Sequence, residues 1–273
     1  MDVVESSFYG LIWYLENLVK DICMGRNNNN ISAILFDFDG TIRHNRPRGI
    51  DIFHKLAFEL GVSFEAEEKK QAERWTHKYF AMSDAMQEDI LATGGSMSGD
   101  FWMKYTRRHL ERLGAPPDYL EELSIIISEK MDLTYHPESY ISDDILPTLS
   151  VLKEEGFPLG LITNRSQPVT PMLEELNIID LFDITLTAGE VGYWKPDPRL
   201  FQYALQILKI APDAAVYVGD NYFADVLGSR AAGLTPILFD PIELYPSPGC
   251  VVIRSISDLH VLFKPTKSLQ SDK

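Results

Sequence analysis

Two aspartates, Asp37 and Asp39, stand one residue apart after an apolar stretch that runs from Ile31 to Phe36. An apolar run bounded by turn residues is typical of a strand buried on both faces. Two carboxylates at the end of such a strand are costly unless a cation or a proton balances their charge. Gly40 lets the chain turn sharply after them. The stretch predicts a ligand site at a strand end, and the alternative is a strand that ends in an ordinary aspartate-rich turn.

Three further stretches carry chemically useful side chains at predicted strand ends or in the loops after them. Thr163 and Asn164 follow an apolar run, and a hydroxyl beside backbone N–H groups suits an oxyanion. Lys195 lies in a loop that two prolines hold stiff and non-helical, which makes it a well-placed cation. Asp220 follows another strand-like run, and Asp225 lies in the first turn of the next predicted helix. Each stretch alone has an ordinary explanation, as a strand exit, a solvated lysine, or acids that cap a helix and favour its dipole.

The elements that must position these residues form an α/β pattern with an interruption. Strand-like runs alternate with helical patterns from about residue 142 onward, which predicts a Rossmann-like, doubly wound parallel sheet. Residues 50–134 look wholly helical and predict an inserted helical bundle. We expect four parts: an N-terminal helix and linker over 1–30, an α/β core over 31–46 and 140–264, a helical cap over 47–139 and a tail over 265–273.

Residues 3–24 have apolar side chains at three- and four-residue spacing, which predicts one amphipathic helix. A polar linker separates this helix from the core. The helix either packs on its own domain, which is the simpler interpretation, or contacts a partner, and a homo-oligomer through residues 3–24 is then expected.

Composition narrows the classes of function. The chain has 273 residues and a net charge of −15, which argues against nucleic acid and anionic membranes as partners. Two cysteines make no disulfide framework, so a reduced, cytoplasmic setting is expected. No apolar run reaches membrane-spanning length, and the first residues lack the basic region of a secretory signal.

The four motifs together resemble the haloacid dehalogenase-like hydrolase superfamily over roughly residues 31–263. Their order is Asp37-x-Asp39-Gly-Thr41, then Thr163, then Lys195, then Gly219-Asp220 with Asp225 five residues later. The helical insert falls between the first two motifs, as the cap does in the phosphoglycolate phosphatase-like branch. The resemblance implies an Mg²⁺-dependent phosphatase that acts on a small phosphorylated metabolite.

The resemblance also implies a role for each motif residue. Asp37 would attack phosphorus and carry an aspartyl-phosphate, and Lys195 would offset the charge. Asp39 would protonate the leaving alkoxide and then take a proton from the hydrolytic water. The implied phosphate-binding residues are Thr163, Asn164 and Lys195. The implied Mg²⁺ ligands are the Asp37 carboxylate, the Asp39 backbone carbonyl, Asp220 and, directly or through water, Asp225.

Three alternatives differ in what they require of these residues. Carbon–halogen cleavage needs neither a metal nor a proton for the halide, so Asp39 and Asp220 would have no task, and a phosphatase is favoured. A phosphomutase uses the same residues and lets a sugar hydroxyl compete with water. A regulatory or binding scaffold that uses the N-terminal helix is the remaining alternative.

The sequence departs from the family pattern near the two hinges of the cap. Members of this branch often carry an acid and a serine shortly after Asp-Gly-Thr, where this chain has Arg43, His44 and Asn45. The segment before residue 142 also lacks the usual Pro-Gly turn. We expect residues 43–48 to form a loop in which one or more of its cationic side chains meets a second anionic group on the substrate, and simple surface charge is the alternative. These side chains are Arg43, His44, Arg46 and Arg48.

Overall fold

The computed structural model describes residues 31–263. The helix predicted over residues 3–24, its linker and the tail over 265–273 lie outside the described residues, so the predictions made for them stay predictions. Among the described helices, none combines the length and the apolar character needed to cross a membrane.

Six strands of the described chain form one parallel sheet. From residue 31 to 263 the strands are β1 Ala33–Phe36, β2 Arg43–Arg46, β3 Glu138–Ile141, β4 Leu159–Thr163, β5 Ile184–Thr187, β6 Ala215–Gly219, β7 Thr235–Phe239 and β8 Val251–Ile253. The large sheet has the order β5-β4-β1-β6-β7-β8, and every neighbouring pair is parallel. After β1 the chain adds β4 and β5 on one side of it, and then β6, β7 and β8 on the other side. The end of β1 therefore lies at the switch point where such sheets bind ligands. The predicted doubly wound α/β fold is confirmed.

Strand β1 is fixed from both faces of the sheet. Ile34 and Phe36 pack in one apolar cluster, and Ala33 and Leu35 pack in another. All four side chains are fully buried, and burying one large apolar side chain contributes about 1.5–3 kcal/mol. The carboxyl end of β1 is therefore a firm platform for the residues that follow it.

Helices fill the segment between residues 49 and 134, as predicted. They are α1 Gly49–Glu59, α2 Ala66–Phe80, α3 Asp84–Ala92, α4 Gly99–Arg112 and α5 Leu120–Thr134. The bundle has its own core, in which Phe53, Leu110 and Ile127 are buried together. The cap limits at 47 and 139 stay a prediction.

An antiparallel ribbon of β2 and β3 joins the helical insert to the core. Arg43 lies opposite Ile141, and Arg46 lies opposite Glu138. The prediction of a loop over residues 43–48 is therefore wrong for residues 43–46, which form β2. Its partner strand lies on the far side of the insert, and a local pattern does not reveal a pairing of that kind.

The helices of the core cover the sheet and carry the loops of the site. They are α6 Ile145–Glu154, α7 Thr170–Glu175, α8 Ala188–Val191, α9 Pro198–Leu208, α10 Leu227–Ala231 and α11 Leu259–Leu262, and a π-helical turn over Tyr222–Val226 precedes α10. Asp197 caps α9 by accepting the N–H of Arg199 at 2.9 Å, and Pro198 takes the first helical position, as predicted.

Candidate active site

Asp37 and Asp39 follow β1 directly and face different surroundings. Phe38 between them is fully buried in the core, and the N–H of Asp37 donates to Val218 O at 2.8 Å. Asp37 is 6% exposed, whereas the side chain of Asp39 is 37% exposed. The carboxylate of Asp37 is therefore shielded from water, whereas the carboxylate of Asp39 is in contact with water.

The ammonium of Lys195 joins the predicted nucleophile to a second acid. Lys195 Nζ lies 2.5 Å from Asp37 Oδ1 and 2.7 Å from Asp225 Oδ1. The hydroxyl of Tyr217 lies 2.9 Å and Ile162 O lies 3.2 Å from the same nitrogen, so its three N–H groups are surrounded by four acceptors. Lys195 is 2% exposed, so these contacts hold a charge that burial alone would disfavour.

Asn164 fixes the backbone that carries this lysine. Its Oδ1 accepts the N–H of Lys195 at 2.6 Å, and its Nδ2 donates to Lys195 O at 2.9 Å. The side chain of Asn164 therefore positions Lys195, a role that differs from the phosphate contact expected of this residue. The phosphate contact itself stays a prediction.

Thr163 ends β4, the strand that pairs directly with β1, and is 2% exposed. It therefore lies at the same edge of the sheet as Asp37. Two residues later, Arg165 donates to both carboxylate oxygens of Asp39, at 2.6 and 2.8 Å. The predicted contact of Thr163 with a phosphoryl oxygen remains a prediction.

Three of the predicted metal ligands form a compact acidic group. Asp37, Asp220 and Asp225 each place a carboxylate oxygen within 4.8 Å of the others. The second oxygen of Asp225 accepts the N–H of Asn221 at 2.9 Å. If all three acids are ionised, the single positive charge of Lys195 leaves a net charge of −2. One divalent cation would balance this net charge. Because all the donors are oxygens, the group fits Mg²⁺, and the Asp39 backbone carbonyl stays a predicted ligand.

Two glycines allow the acids to approach the backbone. At Gly40, a Cβ would lie 2.4 Å from Asp220 Oδ2, and the backbone has a φ of +93°. At Gly219, a Cβ would lie 2.4 Å from the carboxylate carbon of Asp225. The motifs need glycine at both positions because the acids occupy the space of a side chain.

Burial and mutual repulsion change the acidity of this group. Burial raises the pKa of Asp37 to about 7, although the charge of Lys195 opposes it. Burial and the neighbouring charge of Asp37 also raise the pKa of Asp220 well above its usual value. Burial lowers the pKa of Lys195, but the charges of Asp225 and Asp37 outweigh burial and raise that pKa overall. The lysine thus stays charged, and the acids have a strong tendency to take up a proton or a cation.

The four cationic side chains expected near the cap hinge have different partners. Arg43 Nη1 donates to Asp39 Oδ1 at 2.9 Å. Arg46 lies over the ring of Tyr140, 4.1 Å from its centroid. His44 contacts the rings of Tyr140 and Phe239. Arg48 pairs with Asp51 and Glu73. Of the four, Arg43 contacts a predicted site residue.

A cavity of about 500 Å³ opens beside Gly40 and Asp220. Glu73 and His77 of the helical insert form part of its wall, and Asn221 Nδ2 donates to His77 O at 2.9 Å across the boundary with the core. The volume of this cavity is in the range of binding sites for small molecules.

Sequence reasoning missed two residues that the structure brings to the site. Tyr217 lies in β6 and donates to Ile162 O at 2.9 Å while accepting from Lys195. Arg165 follows Asn164 and binds Asp39. Tyr217 stands two residues before Gly219 in a strand that ends at the site, so alternation could have found it. Arg165 could have been found as a cation beside the predicted oxyanion loop.

Comparison with known proteins agrees with the geometry. A family model described as haloacid dehalogenase-like hydrolase matches residues 31–233, which is more than half of the chain. A solved structure of a HAD phosphatase from Thermococcus onnurineus is 26% identical, with a TM-score of 0.50. The alignment covers 86% of this chain and 98% of that one.

Two curated relatives are similar over most of their length. A ribulose-1,5-bisphosphate 5-phosphatase from Halopiger xanaduensis is 31% identical over 216 residues, which cover 78% of this chain and 86% of the relative. A phosphoglycolate phosphatase from Shigella boydii is 28% identical, over 84% of this chain and 91% of the relative.

Proposed function

Because the chain belongs to the haloacid dehalogenase-like hydrolase family, we propose that it hydrolyses a small phosphorylated metabolite through an aspartyl-phosphate on Asp37. The family and the phosphatases among its relatives make the chain a phosphoric monoester hydrolase. The covalent intermediate, the Mg²⁺ cofactor and the role of each residue are the parts that we propose.

In the first step, the Asp37 carboxylate attacks phosphorus and the bond from phosphorus to the ester oxygen breaks. The carboxyl of Asp39 gives its proton to the departing oxygen, which leaves as an alcohol. Lys195 binds one oxygen of Asp37, so it orients the nucleophile and balances charge on the transferring group. Thr163 and the backbone at Asn164 bind phosphoryl oxygens.

In the second step, water replaces Asp37 on phosphorus. Asp39 is now ionised and takes a proton from that water, and the bond between phosphorus and the Asp37 oxygen breaks. Inorganic phosphate leaves, and both acids return to their starting state. One half-exposed carboxyl can serve both steps because its side chain lies next to solvent.

Mg²⁺ held by the carboxylates of Asp37, Asp220 and Asp225 would neutralise charge between the nucleophile and the phosphoryl group. Gly40 and Gly219 let Asp220 and Asp225 stand close to the backbone of the site. Lys195 holds Asp225 close to Asp37 by binding both.

The observation that carries this proposal is the position of Lys195. Its buried ammonium bridges Asp37 and Asp225 at one end of the sheet. A structural lysine at a strand end has no need of two buried acids with a third beside them. A site for phosphoryl transfer needs that set of charges.

The test is release of inorganic phosphate from a panel of phosphorylated metabolites and from p-nitrophenyl phosphate. We expect Mg²⁺-dependent release by the wild type and loss of at least about a thousandfold in Asp37→Asn. Acid-quenched protein should carry a phosphoryl group on Asp37 by mass spectrometry.

Exposed Asp213→Asn is a matched control, because Asp213 lies in a turn before β6. Full activity of Asp37→Asn, or undiminished activity in chelator, would contradict the proposal. Very slow hydrolysis that needs a bisphosphate primer would instead favour the phosphomutase alternative.

A further inference from the structure

The carboxylate of Asp39 is bound by two guanidinium groups at once. Arg43 Nη1 lies 2.9 Å from Asp39 Oδ1. Arg165 Nε lies 2.6 Å from Oδ2, and its Nη2 lies 2.8 Å from Oδ1. Both oxygens of Asp39 therefore face N–H donors.

The two arginines are fixed by different parts of the chain. Arg43 lies on β2, and its other N–H groups donate to Ser139 Oγ at 2.6 Å and Asn45 Oδ1 at 2.8 Å. Arg165 follows β4 and lies beside the ring of Phe38, 5.7 Å from the centroid. Each guanidinium is thus held in place by more than Asp39.

This arrangement has an excess of positive charge. Arg43 and Arg165 share one carboxylate, whereas Arg48 pairs with two acids, Asp51 and Glu73. The side chains of Arg165 and Asp39 are 35% and 37% exposed, so a small ligand can reach them. A second anion would find two partly desolvated guanidinium groups already in position.

We propose that Arg43 and Arg165 bind a second anionic group, a carboxylate or a phosphate, on the leaving group of the substrate. This inference rests on the proposed function and names its substrate class. Asp39 occupies both arginines in the free enzyme. When the substrate arrives, its second anion takes over the N–H donors, which frees the side chain of Asp39 to approach the leaving oxygen.

Distances limit where that second anion stands. A general acid works within about 3 Å of the oxygen it protonates, and the guanidinium nitrogens lie 2.6–2.9 Å from the oxygens of Asp39. The nitrogens are then within roughly 6 Å of the ester oxygen. Because the second anion binds within about 3 Å of those nitrogens, it lies within roughly 9 Å of the ester oxygen, on the same small leaving group.

The first experiment uses the wild type and a series of simple phosphomonoesters. Phosphorylated hydroxy acids with one, two and four methylene groups vary the spacing, and 2-hydroxyethyl phosphate lacks the second anion. We expect kcat/KM for the one- and two-methylene acids to exceed that for 2-hydroxyethyl phosphate by about tenfold or more, the effect of a hydrogen bond to a charged group. The spacing with the highest kcat/KM then locates the second anion relative to the ester oxygen. 1,2-Ethanediol bisphosphate tests whether the second anion is a phosphate or a carboxylate.

The second experiment compares Arg43→Gln and Arg165→Gln with Arg46→Gln, a matched control on the same ribbon. Arg46 is exposed and lies over Tyr140 rather than Asp39. We expect each of the first two variants to lose about tenfold to hundredfold in kcat/KM for the preferred short-spacer dianion, mainly through KM. Activity on 2-hydroxyethyl phosphate should fall much less than activity on the dianion, and Arg46→Gln should behave as wild type.

The outcomes separate this inference from the proposed function. A wild type that hydrolyses p-nitrophenyl phosphate through Asp37, yet shows no preference for a nearby second anion, would overturn the inference alone. Equal losses on both substrates in Arg43→Gln and Arg165→Gln would show mere positioning of Asp39 and would also overturn it. No Asp37-dependent hydrolysis of any ester would overturn the proposed function. The wild-type comparison decides the matter even if a variant fails to fold.

Discussion

Asn164 binds both backbone polar groups of Lys195, accepting its N–H at 2.6 Å and donating to its carbonyl at 2.9 Å. Asn164 directly follows β4, whereas Lys195 lies in the loop after α8. This amide therefore fixes the distance between two loops of the site. The position of the lysine ammonium depends on a side chain that does not touch it.

Replacing this amide should reduce catalysis without removing any charge. We expect Asn164→Ala to lower kcat by about tenfold, because small displacements of a group in contact with the nucleophile are costly. Asn164→Asp keeps an acceptor and loses the donor, so its loss should be smaller. The measurement is steady-state phosphate release, and a wild-type kcat in Asn164→Ala would show that Lys195 is held by other contacts.

The hydroxyl of Tyr217 is the second support of Lys195, and Tyr217→Phe removes it. Tyr217 is 1% exposed, and its hydroxyl links Lys195 to Ile162 O. We expect a loss of about 1–2 kcal/mol in the free energy of unfolding, measured by urea denaturation, because two buried hydrogen bonds disappear. Exposed Tyr203→Phe is the control and should unfold as the wild type does, whereas similar losses in both variants would contradict the assignment.

Gly40→Ala tests the close approach of Asp220 to the backbone. Gly40 and Gly61 have nearly equal φ values, +93° and +92°, but a Cβ at Gly61 meets nothing within 4 Å. Both substitutions should cost about 1–2 kcal/mol of stability through backbone strain. Gly40→Ala should in addition displace Asp220 and abolish Mg²⁺-dependent activity, whereas Gly61→Ala should remain active. Activity assays beside thermal melts check this, and equal activity of the two variants would contradict it.

The acidic group makes metal binding and stability depend on pH. Burial raises the pKa of Asp37 from 3.8 to about 7, and burial also raises that of Asp220. A carboxyl with a raised pKa in the folded state stabilises the metal-free fold below its unfolded pKa, and this contribution is lost as pH rises through about 7. Protons and Mg²⁺ then compete for the same oxygens.

We therefore expect the rise in melting temperature on adding Mg²⁺ to be small near about pH 5.5 and to grow toward about pH 8. Scanning fluorimetry with and without MgCl₂ measures it, and calorimetry in two buffers should detect proton release on binding. In Asp37→Asn the pH dependence should weaken. A shift in melting temperature that is equal at both pH values would contradict the competition.

The leaving group should decide how much Asp39 matters in the first step. p-Nitrophenolate leaves without a proton, whereas an alkoxide needs one. We expect Asp39→Asn to slow phosphoryl transfer from an alkyl phosphate by about a hundredfold or more, and transfer from p-nitrophenyl phosphate much less. Single-turnover kinetics measure the step, and equal slowing for both esters would assign Asp39 a structural role.

The sheet could be predicted from the sequence because each core strand has a local signature. Strand β1 is a short apolar run followed by Asp37 and Gly40, and α9 begins at Pro198 after its cap Asp197, so these boundaries were predicted to within a few residues. Local pattern failed at the ribbon, because Arg43–Arg46 has no strand signature and forms β2 only by pairing with Glu138–Ile141.

The site could be predicted in part for the same reason. Asp37, Lys195, Asp220 and Asp225 meet because parallel strands end at one edge of the sheet. Side-chain partners across that edge depend on register and rotamers, which a motif does not contain. The bridging amide of Asn164 and the paired arginines on Asp39 are relationships of that kind.

The ribbon of β2 and β3 has a consequence for how such a molecule can change over generations. Arg46 and Glu138 stand opposite each other, so the helical insert begins and ends at nearly one point. Its sequence can lengthen, shorten or be exchanged without altering the path of the core. The part of the cavity wall that the insert supplies, at Glu73 and His77, can thus change while the acids at the end of the sheet keep their places.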